Sequence, residues 1–491
     1  MTISPGRTTF VRRLSTALAL TALGALVAGA PAANAFDPAT EAKNFSKNQE
    51  RQTIYNTAQY QLQLRQTGAQ NAQRAITTQA SDPERGYLGQ LCATGDDGCA
   101  GDVRLYDWKA KGHGIVEPVL FTARSGATIS GHVWATKSGP AKRPGIVITN
   151  GSVQAPEQLY WFAAQTLAKA GYVVLTSDPQ GQGQSDARGE APDENEGFPA
   201  QSDGRPFFDG TSDALEFFLS TPNTIFKPRR SCETGTSHAP KQDRRVAAGL
   251  NAAYNPFWKL LNKQQIGLAG HSFGAAGVSF IGQKDPRVSA IVAWDNLGQP
   301  STSGGLPVQP CDKFPDRHAD APITKPALGM SADYGLTPTP FTSDPNPLAK
   351  SQASLAYSAA GVDTGELVIR GGSHYEFSFI PNPGFPASLR GADQVAWYTT
   401  AWFDKYVKKD ASADRRLLTT RWHNDAAEAA IDPNRDGNLY SFYYRSRLDI
   451  GLAGGGRFKC EDIRNGCAGL SADDGWNGGY SYLDVANSPD S

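Results

Sequence analysis

Beyond about residue 30 the chain has no apolar run long enough to cross a bilayer, which argues against stable membrane insertion. It has no surplus of either charge, with 47 Lys+Arg against 48 Asp+Glu and a formal net charge of -1. There is thus no basic footprint for nucleic acid or for an anionic membrane surface. None of the six cysteines shows the two-residue spacing of a zinc knuckle, so no metal is expected. Internal repeats are lacking, apart from two similar cysteine loops. What remains is a chain of 491 residues, long enough for one large domain with additions.

The first 35 residues read as an export signal. Arg7, Arg12 and Arg13 form a basic start, residues 14–30 are apolar and uncharged, and Ala33-Asn34-Ala35 is a small-x-small cleavage pattern. The Arg12-Arg13 pair fits a twin-arginine signal poorly, because Val11 and Leu14 flank it. Removing these three arginines leaves 44 basic against 48 acidic residues, a net charge of -4. A secreted, extracellular protein is expected, and the cysteines suit that compartment. Cys92 with Cys99 and Cys460 with Cys467 are spaced for local disulfides, leaving Cys232 and Cys311 to pair across a longer loop.

Residues 36–114 are expected to form a helical arm followed by a cysteine loop, with Ile54, Ala58 and Leu62 at helical spacing. From 115 to 410 strands and helices alternate. Residues 119–123 and 129–136 read as a hairpin; 145–149, 172–176, 265–269, 289–293, 327–331 and 366–370 read as buried strands. Helices are expected over 159–170, 212–219 and 392–407. This pattern implies an α/β fold with a mostly parallel, doubly wound sheet. The stretch 187–262, interrupted by Pro, Gly and charge, reads as a cap or lid, and 411–491 as an irregular appendage. Within the latter, Asp432-Pro433-Asn434-Arg435-Asp436-Gly437-Asn438 is like the start of a calcium loop, but Tyr443 stands where the twelfth-position glutamate belongs.

Gly270-His271-Ser272-Phe273-Gly274 is a G-x-S-x-G pattern lying between an expected strand and a small-residue helix. In that context Ser272 is a candidate nucleophile on a sharp turn. A hydroxyl needs a base, and His318, His374 and His423 follow it in the chain. His374 is preferred, because Gly371-Gly372-Ser373-His374 comes directly after the last buried strand. Asp333 is favoured as the acid that orients the imidazole, with Asp295, one strand earlier, as the alternative. The oxyanion donors expected are the backbone N–H groups of Phe273 and Ser152.

At these residues the chain resembles the α/β-hydrolase superfamily of serine esterases and lipases. Asp178-Pro179-Gln180-Gly181-Gln182-Gly183-Gln184-Ser185 looks like that family's D-x-x-G-x-G-x-S turn. The elbow resembles that of platelet-activating-factor acetylhydrolases. The His374 loop, with Val395, Ala396 and Trp397 in the helix behind it, is similar to cutinase-like polyester hydrolases and dienelactone-hydrolase relatives. The resemblance implies hydrolysis of carboxylic esters through an acyl-enzyme, without a cofactor, on a small-molecule or lipid-like ester. A peptidase or amidase on the same triad is one rival, and a non-catalytic extracellular binding protein is another. Epoxide or haloalkane hydrolysis would require an aspartate at position 272. Oligomeric state and acyl length are not legible in the sequence.

Overall fold

In the computed structural model the continuous apolar runs become the centre of one ten-stranded sheet. Residues 58–85, 100–106, 114–152, 155–301, 309–335, 345–379, 389–421 and 440–472 are described, with Ala39, Leu88, Trp108 and Lys109. All of them belong to one compact unit, Phe36–Ser491. The expected export signal, Cys92, Cys99, His423 and the calcium-like string lie outside the described residues. No helix among the described residues is long and apolar enough to cross a membrane.

The strands are β1 (Gly114–Thr122), β2 (Thr128–Thr136), β3 (Arg143–Thr149), β4 (Val173–Ser177), β5 (Leu261–His271), β6 (Val288–Trp294), β7 (Ala327–Ala332) and β8 (Thr364–Ile369). Further along come the two-residue β9 (Thr419–Thr420), then β10 (Arg447–Gly451), β11 (Arg457–Cys460) and β12 (Ser471–Ala472). The order across the large sheet is β1-β2-β4-β3-β5-β6-β7-β8-β10-β11, and the six strands from β4 to β8 run parallel. The pairs at either edge are antiparallel.

A parallel strand buried on both faces must be apolar throughout, and alternate residues then serve opposite cores. Ile146 and Ile148 enter one core while Val147 enters the other. Val292 and Trp294 divide in the same way from Ile291 and Ala293. Helices α2 (Trp161–Lys169) and α7 (Leu389–Phe403) lie on the first face. On the second lie α3 (Arg205–Phe218) and α5 (Phe273–Lys284).

Three expectations are corrected. Helix α1 (Ala58–Ser81) exists, but its buried stripe is Tyr60, Leu64, Gly68 and Ala75, while Leu62 is 57% exposed. Two residues along a helix turn the side chain by roughly 200°, so Leu62 and Leu64 face opposite ways. The stretch 187–262 is not only a cap: α3 within it covers β3 and packs on α5, while α4 (Ala239–Ala247) covers β1. Its apolar face, with Phe207, Phe208, Leu215 and Phe218 fully buried, explains why it joins the core. Residues beyond 410 are not merely irregular, since β10 and β11 extend the sheet past β8, and the Cys460–Cys467 disulfide secures that end. Cys232 and Cys311, the two cysteines left over from the local pairs, are also bonded.

Candidate active site

Ser272 follows β5 directly and has φ 57 and ψ -121, a conformation that L-residues rarely adopt. The two glycines around it are required by close backbone approach. A Cβ on Gly270 would lie 2.4 Å from the Gly274 carbonyl oxygen, and one on Gly274 would lie 2.2 Å from that of Thr149. The Ser272 N–H donates to the Trp294 carbonyl at 2.9 Å, which locks the turn to the end of β6.

His374 sits at the start of the short helix that follows β8. Its ring centroid is 4.6 Å from that of His271, the residue before Ser272. His374 Nδ1 lies 2.6 Å from Asp295 Oδ2. The favoured acid is therefore corrected: the imidazole is held by Asp295, and Asp333 Oδ2 instead accepts the Gly371 N–H at 2.8 Å. Strand order explains the exchange. β6 neighbours β5, and His271 is in register with Trp294, so Asp295 emerges beside the Ser272 turn. Asp333 stands at the end of β7, one strand further away, where it fastens the glycine loop leading to His374. Asp295 itself turns at φ 43. Burial pushes its carboxyl up, but the hydrogen bond and charge of His374 outweigh this and hold it below the usual carboxylate range.

Residues that sequence reasoning passed over bind the site together. The Gly151 N–H donates to Tyr160 Oη at 2.9 Å, and Tyr160 Oη lies 2.8 Å from His271 Nδ1. His271 Nε2 lies 2.9 Å from the His374 carbonyl oxygen, which can only accept. Burial, with the charge of His374, pushes the His271 imidazole down to about 3, so it is neutral. Its proton is therefore on Nε2, and Tyr160 donates to its bare Nδ1. One chain of hydrogen bonds thus joins the loop after β3, the elbow and the His374 loop. Only the position of His271 inside the G-x-S-x-G pattern hinted at it.

That chain also selects among amides. Gly151 lies against the elbow, where an added Cβ would be 3.2 Å from Ser272 Cβ, but its N–H is taken by Tyr160. The next amide, that of Ser152, and the Phe273 N–H at the first turn of α5 are the expected oxyanion donors. Asp178 braces this loop from β4. Its carboxylate accepts the N–H groups of Glu157 and Gln184, each at 2.7 Å. Burial and the nearby Glu157 carboxylate push Asp178 up to about 8. The D-x-x-G-x-G-x-S turn therefore serves architecture, since a Cβ on Gly183 would strike the Asp178 carboxylate at 2.3 Å.

A cavity of about 540 Å³ opens on Ser272, lined by Asn296, Leu297, Gln299, Ser301, Lys350 and Gln352 among others. None of its described lining residues comes from 187–262, so that stretch does not form the wall expected of a lid. His318 is buried near Asp209, with Nδ1 2.6 Å from the Gln309 carbonyl oxygen, and belongs to packing. The adjacent Cys232 sulfur is committed to its disulfide, and Asp209 to Arg124.

A strained serine, preceded by a histidine whose ring centroid lies 4.6 Å from an imidazole held at Nδ1 by a carboxylate, has the parts needed for nucleophilic acyl transfer. No protein-family model matches the chain, and no curated protein matches it.

Proposed function

We propose that this protein is a secreted serine hydrolase of the α/β-hydrolase type, with a doubly wound sheet, that cleaves carboxylic esters through an acyl-enzyme. The observation that supports the reading is Ser272 on a strained strand-turn-helix junction, with the Asp295–His374 pair packed against His271, the residue that precedes it.

Ser272 Oγ attacks the ester carbonyl while His374 Nε2 takes its proton. Asp295 holds the Nδ1–H and stabilises the imidazolium. The carbonyl oxygen, now negative, rests on the Phe273 and Ser152 amides. Collapse breaks the carbon–oxygen bond to the alcohol, which leaves with the proton from His374. Water then attacks the acyl-enzyme, giving its proton to His374, and Ser272 departs with that proton as the acid is released. All groups in the cycle are side chains or amides of this chain. The described disulfides, Cys232–Cys311 and Cys460–Cys467, support an oxidising compartment outside the cytoplasm.

The test is a panel of chromogenic esters of increasing acyl length beside peptide anilides, with wild type and Ser272→Ala. Ester turnover should fall by at least about 10⁴-fold in the variant. Survival of activity in Ser272→Ala would sink the mechanism, anilide turnover without ester turnover would make the protein an amidase, and no turnover would favour a binding protein.

A further inference from the structure

We propose that the esters taken by this site carry an anionic group, and that the ammonium of Lys350 receives it. This rests on the ester-hydrolase reading above. Lys350 lies in the turn Ala349–Ser351, ahead of the helix Gln352–Ala359, and is one of the residues lining the cavity that opens on Ser272.

The argument comes from comparing lysines. Among the described residues, the other lysines that are not exposed are Lys241, Lys284, Lys325, Lys405 and Lys408. Each donates to carboxylate or carbonyl oxygens. Lys350 is half-buried like them, yet no hydrogen bond or ion pair holds it among the described residues, and Nζ lies over the Tyr444 ring, 4.9 Å from its centroid. An ammonium is a compact, strongly hydrated charge with three donors, and Lys350 Nζ is not among the polar atoms closed off from solvent, so water serves it until an anion in the cavity takes that place.

The carboxylates near it do not take that place. Asp295 Oδ2 is engaged by His374, and Glu366 is buried within the sheet, where its Oε1 accepts from Ser331 and its Oε2 makes no hydrogen bond to Lys350. The rest of the described wall is mixed, with the amides of Asn296, Gln299 and Gln352 beside the apolar Ala276, Leu297, Ala349 and Ala353, and among its described residues Lys350 is the one that carries a charge. A carboxylate on the substrate, on either the acyl or the alcohol side, would supply an anionic acceptor within the cavity that also reaches Ser272.

The experiment uses matched probes. Mono-4-nitrophenyl adipate is compared with 4-nitrophenyl hexanoate for a charge on the acyl side. For the alcohol side, 4-acetoxybenzoate is compared with its methyl ester. In wild type, kcat/KM should favour the anionic member of at least one pair. Lys350→Gln should lower that ratio roughly tenfold, as expected for losing a hydrogen bond to a charged group. Lys350→Arg should preserve the preference and Lys350→Glu should reverse it, and added salt should weaken it in wild type. Turnover of the neutral esters with no anionic preference overturns this proposal alone. Equal losses on all four esters in Lys350→Gln, with a displaced pH profile, would overturn it too and make Lys350 a positioning residue for Asp295. Failure to hydrolyse any of the four overturns the ester reading and this proposal together.

Discussion

At the scale of single residues, two aspartates at neighbouring strand ends receive different work from their surroundings. Asp295 faces the imidazole of His374 and Asp333 faces an amide of the loop before it. Replacing the acid of such a pair by an amide leaves the shape but offers the imidazole the wrong hydrogen-bonding partner. Asp295→Asn should therefore lower kcat by about 10³- to 10⁴-fold with little change in fold. Asp333→Asn keeps an oxygen for the Gly371 N–H and should cost about 1–2 kcal/mol of stability, with less than about a tenfold loss of rate. Ester kinetics and thermal melts of both variants check this, and a larger rate loss at Asp333 would reverse the assignment.

At the scale of elements, the site is made where four connections meet: the loops after β3, β6 and β8, and the turn between β5 and α5. Tyr160 and His271 join the β3 and β8 loops to that turn through hydrogen bonds whose directions are fixed by the His374 carbonyl and the Gly151 amide. Tyr160→Phe removes the hydroxyl and leaves the Gly151 N–H and His271 Nδ1 without it. The loop carrying Ser152 should then be held less firmly against the elbow. Misplacing an oxyanion donor is felt in the transition state more than in the ground state. We expect kcat to fall about tenfold or more while KM changes little. A rise in KM with kcat unchanged would show that Tyr160 shapes the substrate pocket and does not position the oxyanion loop.

At the scale of the whole molecule, stability depends on carboxyl groups closed inside the sheet. Glu366 on β8 is fully buried; its Oε1 accepts from Ser331 Oγ at 2.7 Å and its Oε2 has no hydrogen-bond partner among the described residues. Burial first, and the charge of Asp295 in addition, push its carboxyl from 4.5 up to about 8. The folded state thus holds a proton that the unfolded chain releases near 4.5. The associated stabilisation is complete below pH 4.5 and is lost as pH rises toward and through 8. Glutamine has no proton to lose. The stability of wild type relative to Glu366→Gln should therefore decline between pH 5 and 8.5, by at most about 5 kcal/mol. Denaturant melts across that range test this, and parallel curves would rule out Glu366 as the titrating group. At the same scale, ion pairs fasten the N-terminal helix to the domain: Arg245 meets Asp82 at 2.6 Å, and Arg85 meets Asp186 at 3.0 Å. Their residues lie more than a hundred and fifty and a hundred positions apart, so no local pattern announces them.

The sequence by itself determined the strands that are apolar throughout, because burial on both faces leaves no room for polar alternation. It also marked the Ser272 turn, because steric demand there excludes any side chain at Gly270 and Gly274, and glycine is visible in a sequence. The position of His374 after the last parallel strand was legible for the same local reason. Only the tertiary structure decided which aspartate meets His374, since that depends on β6 lying beside β5 and on the register of Trp294 with His271. It alone set Leu64, not Leu62, inward, made the stretch around α3 part of the core, and carried the chain beyond 410 into the sheet. That Lys350 lines the cavity with no hydrogen-bond or ion-pair partner among the described residues is likewise a property of three dimensions. A charge is read from the sequence, but whether it has a partner depends on what the fold brings next to it.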